Sequence, residues 1–384
     1  MKKNFDFAII GAGVFGAWTA HYLQRSGARV ALLDAYGAAN SRASSGGETR
    51  VIRMGYGPDE LYTRWAIRSL PLWREFFDRI GTRLFHRTGV LFLSNDTDLY
   101  TQQLLEVLTR NGVPCEKLSA ADIRQNYPQL SFEDVTWGVL EPQSGLLVAR
   151  QAVQALVKES ARNGVEYLAA SVLSPQGGGT LAQIKTSAGD SISAGAFIFA
   201  CGPWLPKLFP GLLAQRIFPT RQEVFFLGPP AGSSDFCPPR MPVWLYHTHP
   251  DIAYALPDIE SRGFKIAFDR HGHAFDPDSG ARVIGPEAVD HLRTFLKKYI
   301  PLLHNAPIIE TRVCQYENTS NGDFLIDRHP GFENVWIVGG GSGHGFKHGP
   351  AVGDYVSARL LRNAPAEPRF SLTNKQTVPM RVVY

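Results

Sequence analysis

The chain has 384 residues, of which 44% are hydrophobic and 19% charged, with a formal net charge of +4. That is an ordinary globular composition, enough for one large core or two usual ones, without the Lys/Arg run that would track nucleic acid. Four widely spaced cysteines (Cys115, Cys201, Cys237, Cys314) with no C-x-x-C pair imply neither a disulfide framework nor a zinc site, and reduced thiols in the cytoplasm are expected.

Phe5–Asp34 (FDFAIIGAGVFGAWTAHYLQRSGARVALLD) is the most informative stretch. An apolar run, Phe7–Ile10, leads into Gly11-x-Gly13-x-x-Gly16, then a helical pattern, then a second apolar run ending at Asp34. This is a β-α-β dinucleotide site. The first glycine turns tightly, the second admits a pyrophosphate, and the third lets helix and strand pack closely. The helix start offers free N–H groups and a positive dipole end, and Asp34 can accept the hydroxyls of an adenosine ribose. A fingerprint this near the start favours FAD over NAD. The lysines and apolar run of the first residues mimic a signal peptide, but the apolar segment is the fingerprint itself and cleavage would destroy it. No apolar stretch is long enough to span a bilayer, so no membrane association is expected.

Further along, a polar loop, Ala38–Thr49, precedes a basic strand-like piece, Arg50–Arg53, and a helix is expected over Leu61–Arg79. Thr88–Ser94 and Thr136–Leu140 read as strands, with short helices at Leu104–Asn111 and Ala120–Tyr127 between them. A long helix over Val148–Asn163 is followed by strand patterns at Glu166–Leu173, Ala182–Thr186 and Ala194–Ala200, the last running into a glycine turn (FIFACGPW). Strand patterns dominate from Phe218 to Tyr316, with one helix near Val289–Tyr299. Phe324–Asp327 and Val335–Val338 are strands, Gly339–Gly345 is a glycine-rich turn, and Pro350–Arg362 is the last helix, before a Pro-rich tail expected to be draped or loose. The two characters interleave. The expected fold is therefore α/β: a discontinuous Rossmann-type FAD-binding domain (1–85, 145–217, 322–384) with an interleaved antiparallel-sheet substrate domain (86–144, 218–321), the cofactor lying across their junction.

Three further motifs join the glycine fingerprint: GETRVIR (Gly47–Arg53), RVCQY (Arg312–Tyr316) and GSGHGFK (Gly341–Lys347). With TGVL at Thr88, EPQSGL at Glu141, GPW at Gly202 and FLIDRHP at Phe324, they occur in one order through nearly the whole chain. The set resembles the monomeric sarcosine oxidase family, which includes N-methyltryptophan and pipecolate oxidases. The resemblance implies a monomeric enzyme with covalent FAD that oxidises a C–N bond of an amino acid and passes electrons to O2.

Residue by residue, the resemblance makes Cys314 the site of a thioether to the flavin 8α carbon. Attachment suits a thiolate, which a neighbouring arginine, Arg312 or Arg50, would favour; outside this context a lone cysteine reads as a buried thiol. Arg53 and Lys347 correspond to substrate-carboxylate ligands, a planar fork and a point charge. Arg50 corresponds to an arginine near the flavin ring, where a structural ion pair is the competing account. Lys265, in GFKIAF, matches the lysine that promotes reaction with oxygen by placing a fixed cation beside a nascent anion. Tyr254 matches an active-site tyrosine, and an ordinary half-buried strand tyrosine is the equal alternative. Cofactor contacts are implied for Gly11, Gly13, Gly16, Asp34, Ser45, Thr49, Arg50, Val172, Cys314, Gly343, His344, Gly345 and Lys347, and no metal is implied.

Two departures bear on substrate. Ser44-Ser45-Gly46-Gly47 stands where the family carries imidazole before its arginine motif, and Asp269 stands where the oxygen-side lysine is followed four residues later by histidine. Loss of both imidazoles argues against sarcosine itself as substrate. Gly46 either opens room for a bulkier one or serves backbone shape. The expected reaction is FAD-dependent oxidation of a secondary (N-alkyl or cyclic) amino acid to an imine, with O2 reduced to H2O2. A flavin dehydrogenase using another acceptor and a biosynthetic tailoring enzyme remain the alternatives.

Overall fold

The computed structural model describes residues 4–250, 252–269 and 272–377. Its first sheet runs Leu325–Arg328, Val335–Gly339, Ser191–Phe199, Asn4–Ile10, Val30–Asp34, Glu166–Ala169, with Gln183–Lys185 added beside Ser191–Phe199. The four central pairings are parallel, and the two peripheral additions, Leu325–Arg328 and Gln183–Lys185, are antiparallel. The near-continuous burial of Val30–Asp34 and Val335–Gly339 is what a sheet covered on both faces demands. Helix Val14–Arg25 packs between Ala149–Arg162 and Gly349–Arg362, where the buried aromatics Trp18, Trp73 and Phe76 close the core.

The second sheet has eight strands in the order Ile308–Thr319, Ile217–Leu227, Phe264–Phe268, Ala253–Leu256, Val243–Tyr246, Val90–Ser94, Trp137–Glu141, Glu116–Ser119. All neighbours are antiparallel except Val243–Tyr246 with Val90–Ser94. Helix Pro286–Tyr299 buries Leu292, Phe295, Leu296 and Tyr299 against one face, with Phe132, Trp244 and Tyr246. A third, antiparallel sheet joins Thr49–Ile52, Gly145–Val148 and Phe85–His86. No helix among the described residues is long and apolar enough to cross a membrane.

Several boundaries move from the sequence expectation. The helix expected from Leu104 starts at Leu99, because Asp98 caps it by accepting from Thr101 N–H at 3.2 Å. The helix expected from Val148 starts at Ala149, since Gly145–Val148 is a strand. Glu116–Ser119 was invisible as a strand: it is a polar, largely exposed edge with no alternation to read. The tail is not loose as far as residue 377. Phe370 is fully buried, and the Arg369 guanidinium pairs with Asp59 and Asp323 at 2.5 Å each. The rest of the tail lies outside the described residues.

Candidate active site

A cavity of about 490 Å³ lies where the parallel sheet ends and the eight-stranded sheet begins. Gly11, Gly13, Asp34, Ser45, Arg50, Val172, Cys314, Gly343 and Gly345 all line it. Gly11 has φ +107°, and a side chain there would meet Ala200 O at 2.3 Å, so only glycine makes this turn. Helix Val14–Arg25 has no side-chain cap of its own; Val14 N–H donates instead to Ser45 Oγ at 3.0 Å, which ties the polar loop to the helix start. Asp34 accepts from Ala12 N–H at 2.8 Å and Tyr36 N–H at 2.9 Å. Burial holds its carboxyl above the ordinary range. The turn, the helix start and the acid fit a dinucleotide, and the row of glycines leaves the wall bare for it.

Of the other residues proposed to touch the cofactor, Gly16, Thr49, His344 and Lys347 do not line this cavity. Gly16 lies one layer back, where a Cβ would stand 1.9 Å from Gly11 O. His344 Nε2 lies 3.0 Å from Gly322 O and its Nδ1 3.3 Å from the Tyr56 hydroxyl. Thr49 and Lys347 belong to the two cation clusters described next.

The first cluster gathers Arg50, Cys314 and Lys265. Arg50 Nη1 donates to Thr49 O at 2.8 Å and Nη2 to Ser44 O at 2.7 Å, and Nη2 lies 3.5 Å from Cys314 Sγ. Lys265, on Phe264–Phe268, is 4% exposed and donates from Nζ to Thr49 O at 2.8 Å. Burial, with Arg50 beside it, pushes its ammonium down to about 7. Tyr254 hydrogen-bonds with Tyr316, whose hydroxyl donates to Asp269 at 2.7 Å. Burial and then the Asp269 carboxylate raise the phenol of Tyr254. Arg312 is not a partner of the thiol: it is held by Glu48 at 2.7 Å and Glu310 at 2.6 Å. Glu48 also receives Arg150 and Arg262, fixing the approach to Thr49–Ile52.

The second cluster holds Arg53 and Lys347, 3% and 5% exposed. The Arg53 guanidinium donates to Gly55 O and lies 4.5 Å from the Tyr56 ring centroid and 5.5 Å from that of Phe92. Lys347 Nζ donates to the Tyr56 hydroxyl at 2.8 Å and to His344 O at 3.0 Å. Burial, then Arg53, pushes the Lys347 ammonium well below its ordinary value. Neither cation makes an ion pair with a carboxylate among the described residues. Two buried cations, near enough for Arg53 to depress the Lys347 ammonium and held by neutral oxygens and rings, are arranged to take an anion.

Several residues that shape this site were not read from the sequence. Glu141, fully buried, accepts Met54 N–H at 2.9 Å and Gly55 N–H at 2.7 Å, and the Ser144 hydroxyl, pinning the two residues that follow Arg53. Its signal was an acid closing an apolar strand in EPQSG. Tyr56 gave none, and Tyr316 closed the RVCQY motif without a role of its own. Glu317 lines the cofactor cavity, and burial pushes its carboxyl up to about 7. Gly46 does not open the pocket: a Cβ there would stand 1.9 Å from Asn40 O, so the glycine serves a close backbone approach. Among the described residues no group of His, Cys, Asp and Glu could hold a metal ion.

The family model for FAD-dependent oxidoreductases matches residues 6–359. The monomeric sarcosine oxidase of Bacillus sp. (strain NS-129) is 29% identical over 97% of this chain and 96% of its own. The peroxisomal sarcosine oxidase of Homo sapiens is 30% identical, covering 95% and 94% of the two chains. The crystal structure of L-proline dehydrogenase from P. horikoshii superposes with a TM-score of 0.83 at 21% identity, over 97% of this chain and 98% of that one. The chain belongs to the FAD-dependent oxidoreductase family and, within it, to the sarcosine oxidase-like amine oxidases acting on CH–NH donors.

Proposed function

We propose that the enzyme oxidises a secondary amino acid, N-alkyl or cyclic, to its imine, with FAD joined to Cys314 and O2 reduced to H2O2. The observation that carries this reading is the pair of buried cations, Arg53 and Lys347, the latter directly following Phe346 of the cofactor-cavity wall. Arg53 grips one edge of the substrate carboxylate, and Lys347 regains full charge as that anion replaces lost hydration. Aromatic rings of Tyr56 and Phe92 exclude water and orient the guanidinium. Asp269, hydrogen-bonded to Tyr316 and felt electrostatically by both cations, supplies the negative charge that suits a substrate amine. Bound FAD supplies the two-electron acceptor for the hydride lost from the carbon next to nitrogen. Lys265 provides the fixed cation for oxygen reduction, and water outside the chain's control hydrolyses the imine.

The same reading divides the chain into an FAD-binding part (1–85, 145–217, 322–384) and a substrate part (86–144, 218–321). Support comes from the parallel sheet drawing its strands from the former and the eight-stranded sheet almost wholly from the latter. It also has the enzyme as a cytoplasmic monomer acting on a small molecule, a setting that suits its four free thiols. The test is a peroxide assay of the purified yellow protein with N-methyl, cyclic and D-amino acids. Peroxide with a secondary amino acid, lost on methylating its carboxylate, supports the reading; none with the whole panel overturns the oxidase assignment.

A further inference from the structure

We propose that Glu317 is a cofactor-binding residue whose Oε2 accepts a hydrogen bond from a hydroxyl of the FAD ribityl chain. Glu317 lines the cofactor cavity and is 8% exposed. Its Oε1 accepts from Gly341 N–H at 3.2 Å and Gly340 N–H also faces the carboxylate, yet the buried Oε2 makes no full hydrogen bond among the described residues. A buried carboxylate oxygen left unsatisfied is costly, so the missing donor belongs to whatever fills the cavity.

The cavity has two ends of known chemistry. The pyrophosphate belongs at the helix start by Gly11 and Gly13; it offers no donor and would repel a carboxylate. With FAD joined as proposed, the flavin ring would lie toward Cys314, which precedes Glu317 by three residues on strand Ile308–Thr319, a span of about 10 Å. Between ring and pyrophosphate FAD carries the ribityl chain, uncharged and rich in hydroxyl donors. The surrounding backbone keeps that approach open. A Cβ on Gly202 or Gly339 would stand 3.6 or 3.2 Å from Oε2, and both positions are bare. A carboxylate facing a polyol, inside a ring of glycines, is a site for accepting hydroxyl hydrogen bonds.

The inference rests on FAD being the cofactor, and the experiment separates the two. The full-length protein carrying Cys314→Ser, so that binding is reversible, is titrated with FAD and with ADP, alone and with Glu317→Leu or Glu317→Gln added. Glu317→Leu is expected to weaken FAD binding by roughly 10- to 100-fold while ADP binding stays within about twofold. Glu317→Gln, isosteric and still able to accept through its carbonyl, should lose about tenfold or less and serves if the leucine variant fails to fold. Unchanged FAD affinity in both variants overturns the proposal. Equal losses for FAD and ADP also overturn it, since the contact would then lie in the ADP half. A parent protein that binds ADP but no FAD would overturn the cofactor assignment itself, and the proposal with it.

Discussion

Arg50 Nη2 and Cys314 Sγ stand 3.5 Å apart although 264 residues separate them in the chain. Two backbone carbonyls, Ser44 O and Thr49 O, hold the guanidinium in place, so its charge is fixed against the sulfur. The guanidinium thus faces the sulfur proposed to carry the flavin. Acid denaturation of the wild-type protein should leave the yellow chromophore on the polypeptide, in the peptide containing Cys314. Cys314→Ala should release free flavin under the same treatment. Absorbance of the precipitate and peptide mass spectrometry check both, and free FAD from the wild type would sink the covalent link.

The Arg53–Lys347 pair makes a pH-dependent prediction. Lys347 has an ammonium depressed by burial and then by Arg53, so binding a carboxylate draws a proton onto it. Substrate affinity is therefore strongest where that proton is already present and weakens as pH rises. Lys347→Met should raise KM and flatten this slope. Arg53→Ala should cost roughly 10- to 100-fold in kcat/KM, the worth of a charge-assisted pair of hydrogen bonds. Steady-state kinetics over a pH series measures both, and an unchanged KM in either variant would remove the clamp.

Lys265 separates oxidase from dehydrogenase. If it serves oxygen reduction, Lys265→Met should slow turnover with O2 by about 10²- to 10³-fold and turnover with an artificial acceptor far less. Equal rates with O2 in both proteins would point to another electron acceptor. Stability offers a second readout. The ammonium falls from its usual 10.5 to about 7 on burial, so between these pH values the unfolded chain binds the extra proton. Wild-type stability should accordingly rise relative to Lys265→Met by roughly 1.4 kcal/mol per pH unit across that window, and the penalty should be full below it. Urea unfolding of both proteins at several pH values checks the sign.

Glu141 is expected to matter for both folding and affinity. Its two oxygens take the N–H groups of Met54 and Gly55, and Gly55 O in turn receives Arg53. Glu141→Ala leaves two buried donors unpaired, a loss of about 2–4 kcal/mol, and frees the loop that aims Arg53. A lower urea midpoint together with a raised KM is the expected pair of results. A variant as stable as the parent would show the network to be dispensable.

What the sequence determined by itself was whatever is local. The turn at Gly11, the helix after it and Asp34 lie within thirty-odd residues, and their spacing alone specifies a strand, a helix start and an acid at a strand tip. The buried strands and long helices were legible for the same reason, since periodicity is a property of neighbours. Tertiary structure decided what depends on distant meetings. Gly46 could be read as a gap until Asn40 O was found against it, and Arg312 as the thiol's partner until Glu48 claimed it. Tyr56 and Glu317 carry no motif, and EPQSGL marked Glu141 without giving its role, because these roles come from backbone N–H groups, cations and glycines contributed by other segments. The polar strand Glu116–Ser119 and the docking of Phe370 were hidden for a related reason. Pairing with a neighbour and burial under a helix are supplied by the rest of the fold, and no local pattern encodes them.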